Sequence, residues 1–221
     1  ILLNTLKIAG ITTIVCALMG YPAAYFIARS KGNKAILLLL LILPFWISYI
    51  IRTMSWINIL GVSGALNWVL VNLGLTEEPI QMLYNETTVI LGLVHFLLPF
   101  MVLNVFVSLD GIDTNLEDAA TSLGATRWQA FLQVTLPLSL PGLAAGGLLC
   151  FVLGAGTYIT PMILGGPRDA MFANLVYEAI ITQLNWPLGS ALSLMLLIVL
   201  GALVLIYNRY LGMAQLMKGL G

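Results

Sequence analysis

The sequence predicts an all-α membrane protein that crosses the bilayer several times. Hydrophobic residues make up 60% of the 221 residues, charged residues only 8%, and the mean hydropathy is +1.02. A soluble domain carries about 25% charged residues, so this composition excludes an ordinary soluble protein. The charged residues are confined to short segments between long uncharged runs, which is the pattern of apolar helices joined by polar loops.

Five uncharged runs are long enough to span a membrane, since a transmembrane helix needs about 20 apolar residues. The chain is therefore predicted to be one transmembrane domain, residues 1–221, with spans at 8–28, 35–57, 87–109, 141–163 and 189–208. Arg52 falls within the second span. A charge at a helix centre costs about 3 kcal/mol, so we expect Arg52 near the end of that helix or facing protein or water.

Basic residues between the first two spans set the orientation, because cytoplasmic loops carry an excess of Lys and Arg. These residues are Arg29, Lys31 and Lys34. Alternation then places residues 61–86 and 164–187 outside, and residues 110–138 inside together with the tail that holds Arg209 and Lys218. Residue 1 falls outside in this scheme, so we expect a sixth span upstream of Ile1.

The loop at residues 110–138 is predicted to hold two short amphipathic helices. Thr114 with Glu117, and Thr126 with Gln129, have the spacing of capping boxes. Gly124 would end the first helix. Pro137 would interrupt the second. The predicted apolar faces are Leu116, Ala119, Ala120 and Leu123 in the first helix, and Trp128, Phe131 and Leu132 in the second. Helices this short are marginal alone in water, which leaves partner docking and a structured loop on the bilayer surface as alternatives.

A sequence motif identifies this loop further. Asp118-Ala-Ala is followed by Gly124 six positions after Asp118, and Val134-Thr-Leu-Pro137 begins ten positions after Gly124. This spacing matches the pattern E-A-A-x3-G-x9-I-x-L-P and resembles the cytoplasmic coupling loop of the membrane subunits of binding-protein-dependent ABC importers. Asp118 stands for the usual Glu and keeps its carboxylate, and Val134 stands for the usual Ile.

Further segments resemble the spermidine/putrescine-type permeases of that family, across nearly the whole chain. These segments are 20–28, 44–52, 91–102 and 185–189. The resemblance implies a multi-pass permease subunit of type I ABC importer fold, in the bacterial inner membrane, that moves a polyamine such as spermidine or putrescine. Relatives that move opines, amino-acid-like compounds, phosphonates or ferric iron share these segments, so those substrates stay open.

The resemblance also implies partners. A periplasmic solute-binding protein would deliver the substrate to this chain and to a second homologous permease subunit. The two permease subunits would be surrounded by membrane lipid. A dimer of cytoplasmic ABC ATPases would bind ATP and Mg and drive transport, so this chain itself would bind no cofactor and catalyse no reaction.

By motif match, the coupling loop would supply the ATPase contacts. The candidate residues are Glu117, Asp118, Ala119, Ala120, Gly124, Ala125, Arg127, Trp128 and Phe131. Asp118 would meet a basic ATPase residue, Gly124 would permit a sharp turn, and the two aromatic rings would fill apolar pockets. Alternatively, Asp118 only stabilises a helix N-terminus, and the aromatic rings pack on neighbouring spans.

Aromatic side chains and ionisable groups in or near the spans are candidates for the translocation pathway, because aromatic faces attract cations and ionisable groups within a membrane are commonly functional. They are Tyr49, Arg52, Trp56, His95, Tyr158, Glu178 and Trp186. Arg52 would repel a cation and fits an anionic or zwitterionic substrate. His95 is interpreted chiefly as a hydrogen-bonded packing residue, and the aromatic residues also fit an interfacial belt.

Other functional classes lack the residues they need. His95 is the only histidine and has no carboxylate or cysteine at a triad or metal-ligand spacing. Cys16 and Cys150 lie in apolar runs, as small buried hydrophobic residues do. No phosphate-binding loop is present, and a net charge of zero gives no basic patch for nucleic acid. The alternative from another class, an ATP-independent transporter or channel, needs paired intramembrane charges or an ion site.

Overall fold

The protein is all-helical in the part of the chain that the computed structural model describes, namely the backbone of residues 1–218 and the side chains of residues 1–209. The side chain of Lys218, predicted to lie in a cytoplasmic tail, is outside the described residues. Five candidate membrane spans occur in the described part, which confirms the predicted fold class. They are Leu2–Arg29, Tyr49–Asn72, Glu86–Asp110, Arg127–Ala155 and Trp186–Arg209.

The α-helices of the described residues are numbered in chain order. They are α1 (Leu2–Arg29), α2 (Lys34–Ile42), α3 (Tyr49–Leu60), α4 (Ala65–Asn72), α5 (Glu86–Asp110), α6 (Thr114–Ser122), α7 (Arg127–Ala130), α8 (Leu136–Ala155), α9 (Ile159–Leu164), α10 (Phe172–Tyr177) and α11 (Trp186–Lys218). A 3₁₀ turn covers Leu43–Trp46, and two π-helical turns cover Phe131–Thr135 and Glu178–Thr182.

Two helical runs differ from the predicted spans. The run predicted at 35–57 breaks after α2, because Pro44 has no amide hydrogen to continue the helical pattern, and α3 begins only at Tyr49. The run predicted at 141–163 stops at Ala155, where the amides of Gly156 and Thr157 close a turn onto Val152 and Gly154.

Pro137 does not interrupt the second loop helix, and that expectation was wrong. The π-helical turn Phe131–Thr135 runs directly into α8 at Leu136, so Pro137 removes one backbone hydrogen bond from this run but does not end it. Helix therefore continues from Arg127 to Ala155, and the loop is joined to the fourth span without a break.

The chain folds into two compact units. The first, called the Arg52 unit, consists of Ile1–Thr12, Pro44–Phe96 and Phe151–Ala202. Its core contains two groups of buried side chains, one of Ile8, Val89, Leu93 and Met171 and the other of Leu60, Leu83 and Leu164. The amide of Phe172 donates to the buried Thr5 hydroxyl at 2.7 Å, which ties α10 to α1.

The second unit, called the loop unit, consists of Thr13–Leu43, Leu97–Cys150 and a segment that begins at Leu203. It is built around one face of α5, whose buried residues there are Leu97, Met101, Val102, Val105 and Leu109. Gly20 of α1 and Gly146 of α8 approach Met101 so closely that an added Cβ would lie 2.8 and 2.9 Å from its side chain. Small residues thus allow three helices to pack tightly.

Candidate functional site

The predicted coupling loop begins with α6, whose first turn is capped by Asp113. The Asp113 carboxylate accepts a hydrogen bond from the Asn115 amide at 2.9 Å. Thr114 is already the first helical residue, so the capping box expected between Thr114 and Glu117 does not form. The Glu117 side chain is directed elsewhere, because the helix starts one residue earlier than the pattern suggested.

Glu117 connects three elements of the loop unit. One carboxylate oxygen, Oε1, accepts hydrogen bonds from the Arg29 guanidinium at the end of α1 and from the Thr135 hydroxyl, the latter at 2.5 Å. Thr135 is fully buried and ends the π-helical turn before α8. Glu117 therefore links α6 to α1 and to the start of the fourth span.

Asp118, the next residue, has a different environment. Its side chain is exposed, and among the described residues no hydrogen bond or ion pair is made by its carboxylate. Consecutive residues on a helix do not face the same way, so Asp118 is directed away from the contacts of Glu117. Ala119 is exposed and Ala120 half-buried.

Gly124 ends α6 with the geometry expected of it. Its φ of +93° is in the left-handed region, and an added Cβ would meet nothing within 4 Å. The Gly124 amide donates to the Thr121 carbonyl and the Ala125 amide to the Ala120 carbonyl. This pair of bonds is the Schellman motif, which satisfies the free carbonyls at a helix end. The structure thus confirms the predicted turn.

The second predicted capping box is present at α7. The Gln129 amide donates to the Thr126 hydroxyl at 3.3 Å, and the Thr126 amide donates to the Gln129 side chain at 2.8 Å. The helix therefore starts at Arg127 for the reason that the sequence indicated.

The Phe131 ring packs inside the chain's own aromatic cluster. It meets Tyr21 and Tyr25 of α1 edge-on, with ring centres 6.0 and 5.5 Å apart, and stacks on Trp128 at 5.4 Å. Phe131 is half-buried and Trp128 is largely exposed. Of the two aromatic residues predicted to fill pockets of a partner, only Trp128 offers most of its surface.

Two cavities lie beside these helices. A polar cavity of about 670 Å³ gathers five of the predicted contact residues, namely Glu117, Asp118, Ala125, Arg127 and Phe131. A second, apolar cavity of about 570 Å³ is lined by Arg127, Trp128 and Phe131 with Tyr21, Pro22 and Tyr25 of α1. Leu116 of α6 and Leu123 directly after it are exposed, so the two large residues of the predicted apolar face are unburied in the described chain.

The pathway candidates lie in the Arg52 unit, where Arg52 itself is only 8% exposed. Its guanidinium carbon lies 5.0 Å from the Phe45 ring centre and 5.8 Å from that of Phe96, within the range of cation–π attraction. Arg52 thus faces protein in the first turn of α3, as expected for a charge in a span. Its Nη1 is buried and has no hydrogen-bond partner in the described structure.

Tyr49 lies one turn before Arg52. Its hydroxyl forms hydrogen bonds with Thr157, at 3.2 Å, and with Thr160, and its ring centre is 4.4 Å from that of Phe96. The Tyr49 hydroxyl joins α3 to α9 and to the turn before it, which gives it a structural role there.

Trp56 and His95 form a pair. The Trp56 indole donates to Nδ1 of His95 at 3.3 Å, and the two rings are nearly perpendicular at 5.6 Å. This contact agrees with the interpretation of His95 as a hydrogen-bonded packing residue.

The other candidates lie later in the chain. Tyr158 stacks on Tyr177, with ring centres 4.8 Å apart and an angle of 17° between the planes. Glu178 is exposed and begins the second π-helical turn, and Trp186 is exposed at the start of α11. No group of His, Cys, Asp and Glu in the described part has the arrangement of metal ligands.

Sequence reasoning missed several residues that these sites use. They are Arg29 and Thr135 beside Glu117, Phe45 and Phe96 beside Arg52, and Tyr177 beside Tyr158. Each is distant in sequence from its partner or separated from it by a helix break, so no local pattern joins them. Arg29 belongs to the basic cluster that sets the orientation, and Thr135, Phe45 and Phe96 fall within segments that resemble the family, but no sequence signal marks any of them as a partner of Glu117 or Arg52.

Comparison with known proteins establishes the family. Residues 9–214 match the family described as the inner membrane component of binding-protein-dependent transport systems. The chain is 38% identical over 207 residues to the spermidine/putrescine transport system permease protein PotB of Haemophilus influenzae, covering 93% of this chain and 72% of that protein.

Solved structures share the fold. A chain of a bacterial alginate ABC transporter, in complex with an alginate pentasaccharide-bound periplasmic protein, superposes with a TM-score of 0.76 at 23% identity, covering 94% of this chain and 76% of that one. A chain of the inward-facing MetNI methionine ABC transporter superposes with a TM-score of 0.69 at 19% identity, covering 94% of this chain and 91% of that one. The chain belongs to the family of inner membrane components of binding-protein-dependent transport systems, and it is a multi-pass permease subunit of an ABC importer in the inner membrane.

Proposed function

We propose that this permease subunit imports a polyamine of the spermidine or putrescine kind. The observation that carries the proposal is the 38% identity to a spermidine/putrescine permease across 93% of the chain. The Arg52 unit also contains aromatic faces that suit a cation, such as the Tyr158 and Tyr177 pair, and an exposed carboxylate at Glu178.

ATP hydrolysis would take place on a separate pair of cytoplasmic ATPases that bind the ATP and Mg. The exposed surface of α6 and α7 supports docking there. Leu123 is 91% exposed, and burying such a side chain in a groove contributes about 2 kcal/mol. The exposed Asp118 carboxylate beside the polar cavity offers a contact for a basic residue of the ATPase. A periplasmic binding protein and a second homologous permease subunit would complete the importer.

The helical continuity of the loop suggests how docking would act on the membrane part. Helix runs without a break from Arg127 through the π-helical turn to Ala155. A displacement of α6 and α7 by the ATPases would therefore pass along the backbone hydrogen bonds into the fourth span. Coupling of ATP hydrolysis to transport would require this connection, because a flexible loop would not transmit the movement of α6 and α7 to the spans.

A zwitterionic, amino-acid-like or opine substrate is the second candidate, favoured by one observation. Arg52 is a buried cation, and no acidic side chain among the described residues pairs with it. A buried unpaired charge is unfavourable, and a substrate carboxylate would relieve that cost. The aromatic faces of Phe45 and Phe96 already disperse part of the charge, so we rank this candidate second.

The experiment is ATP hydrolysis and solute uptake by the complex reconstituted in vesicles with its ATPase and permease partners. Binding proteins preloaded with spermidine, putrescine or an opine would be added in turn. Stimulation by the polyamine-loaded protein, with uptake of labelled polyamine, is expected. If only the opine-loaded binding protein stimulated ATP hydrolysis, the polyamine proposal would be wrong and the second candidate substrate would take its place. Uptake without any ATPase would overturn the proposal.

A further inference from the structure

We propose that Glu117 is a positioning residue that clamps the coupling loop to the membrane spans, and that it does not contact the ATPase. The inference rests on the proposed docking of an ATPase at α6 and α7. It departs from the motif-based expectation for this residue, because one of its carboxylate oxygens already accepts two hydrogen bonds within the chain.

Side chains from three structural elements meet at one carboxylate oxygen. Glu117 Oε1 accepts from Arg29, the last residue of α1, and from Thr135, the last residue of the π-helical turn. The two donors are 88 and 18 positions away in sequence. A displacement of α6 must therefore move α1 and the start of α8 with it, or break these two bonds.

The strength of the contact follows from its burial. The Arg29 and Glu117 side chains are 18% and 23% exposed, whereas those of Lys34 and Asp110, a second ion pair of the same unit, are 40% and 42% exposed. Exposed ion pairs contribute little because water screens them, and charge-assisted hydrogen bonds with less exposure are stronger. The Glu117 contacts are therefore expected to resist a displacement of α6 more strongly than the Lys34 to Asp110 pair would.

The environment of Arg29 makes the clamp sensitive to substitution. Its Nε is buried and lacks a hydrogen-bond partner within the described residues. Loss of the Glu117 charge would remove the carboxylate that pairs with the guanidinium, whose central carbon also lies 5.9 Å from the Tyr25 ring centre. A poorly solvated cation without an anion is unfavourable, so α1 would separate from α6.

Glu117 and Asp118 would then have different functions. Asp118, exposed and without a partner in the described chain, would bind the ATPase, while Glu117 holds the helix that presents it. The clamp predicts that Glu117 variants assemble normally but transport inefficiently. Loss of an ATPase contact predicts failure of assembly instead.

The test compares Glu117→Gln, Thr135→Val and Asp118→Asn in the full complex, with two readouts. The first is the amount of ATPase that copurifies with the permease. The second is the number of ATP molecules hydrolysed per solute imported. Glu117→Gln and Thr135→Val are expected to retain the ATPase and to raise the ATP-to-solute ratio about tenfold. Asp118→Asn is expected to lose ATPase copurification.

Matched variants control for general disruption. Thr135→Ser keeps the hydroxyl and is expected to behave as the wild type. Asp110→Asn breaks the exposed pair with Lys34 and is expected to leave both readouts unchanged. The double exchange Arg29→Glu with Glu117→Arg is expected to restore the ratio, because the ion pair is re-formed and a threonine hydroxyl can also accept.

Three results would overturn the clamp: loss of ATPase copurification in Glu117→Gln, an unchanged ratio in both Glu117→Gln and Thr135→Val, or no rescue by the double exchange. Failure of the proposed function looks different, since the wild type would then recruit no ATPase. In that case a double-mutant cycle on thermal stability of the permease, with Glu117→Gln and Arg29→Gln, still tests the contact. Additive effects would show that the two side chains are not coupled.

Discussion

At the scale of single residues, Gly124 is needed for its backbone conformation alone. Its φ is +93° and no atom lies within 4 Å of an added Cβ, so a substitution is opposed only by the left-handed geometry, at about 1 to 2 kcal/mol. Asn adopts a left-handed backbone conformation more readily than Ala, and Val adopts it least readily. We expect ATPase copurification to fall in the order Gly, Asn, Ala, Val. Equal copurification of Asn and Val variants would show that the turn is not required.

Arg52 gives a prediction that separates the two substrate candidates. Arg52→Met replaces the arginine stem by an unbranched apolar side chain and removes a buried charge whose Nη1 has no partner in the described chain. We expect the melting temperature to stay equal or rise, because desolvation of the charge no longer opposes folding. Polyamine uptake is expected to persist. If the substrate is instead zwitterionic, Arg52→Met is expected to abolish its uptake with normal assembly, because Arg52 would bind the substrate carboxylate. Arg52→Lys is the control, because lysine keeps the positive charge but lacks the planar guanidinium that stacks on aromatic rings.

At the scale of elements, α7 depends on its capping box. Thr126→Ala removes the acceptor for the Gln129 amide, and loss of such a cap costs about 1 kcal/mol. We expect faster amide hydrogen exchange over residues 127–130 and weaker ATPase copurification, while Thr126→Ser matches the wild type. Unchanged exchange in Thr126→Ala would show that the following π-helical turn alone holds the helix.

The same elements show what the sequence could predict. The capping box at Thr126 and the turn at Gly124 were predicted correctly, because both depend on residues at most five positions apart. The box at Thr114 was not, because α6 starts one residue earlier with Asp113 as its cap, and the Glu117 carboxylate instead meets Arg29 and Thr135 through contacts that only the tertiary structure creates. The continuous helix through Pro137 was also missed, since a π-helical turn has no simple sequence signal.

At the scale of the whole molecule, composition and uncharged runs predicted an all-helical membrane protein with five spans. The structure has five candidate spans in its described part, and the family match is to an inner membrane component. The reason is that hydrocarbon allows few structures besides helices to cross it. Helix breaks near Pro44 and Gly156 shifted the bounds of two spans. The pairing of distant side chains within each unit could not be predicted, because it depends on which helices are neighbours.

The assembled importer gives the last prediction, which concerns the exposed apolar face of α6. If the ATPase covers this face, Leu123→Asp places a charge in the interface and is expected to abolish ATPase copurification. The melting temperature of the permease alone is expected to stay unchanged, because Leu123 is 91% exposed. Leu75→Asp is the matched control: Leu75 is 67% exposed and lies in the segment predicted to be outside. If Leu75→Asp, and not Leu123→Asp, prevented copurification, both the docking surface and the predicted orientation would be wrong.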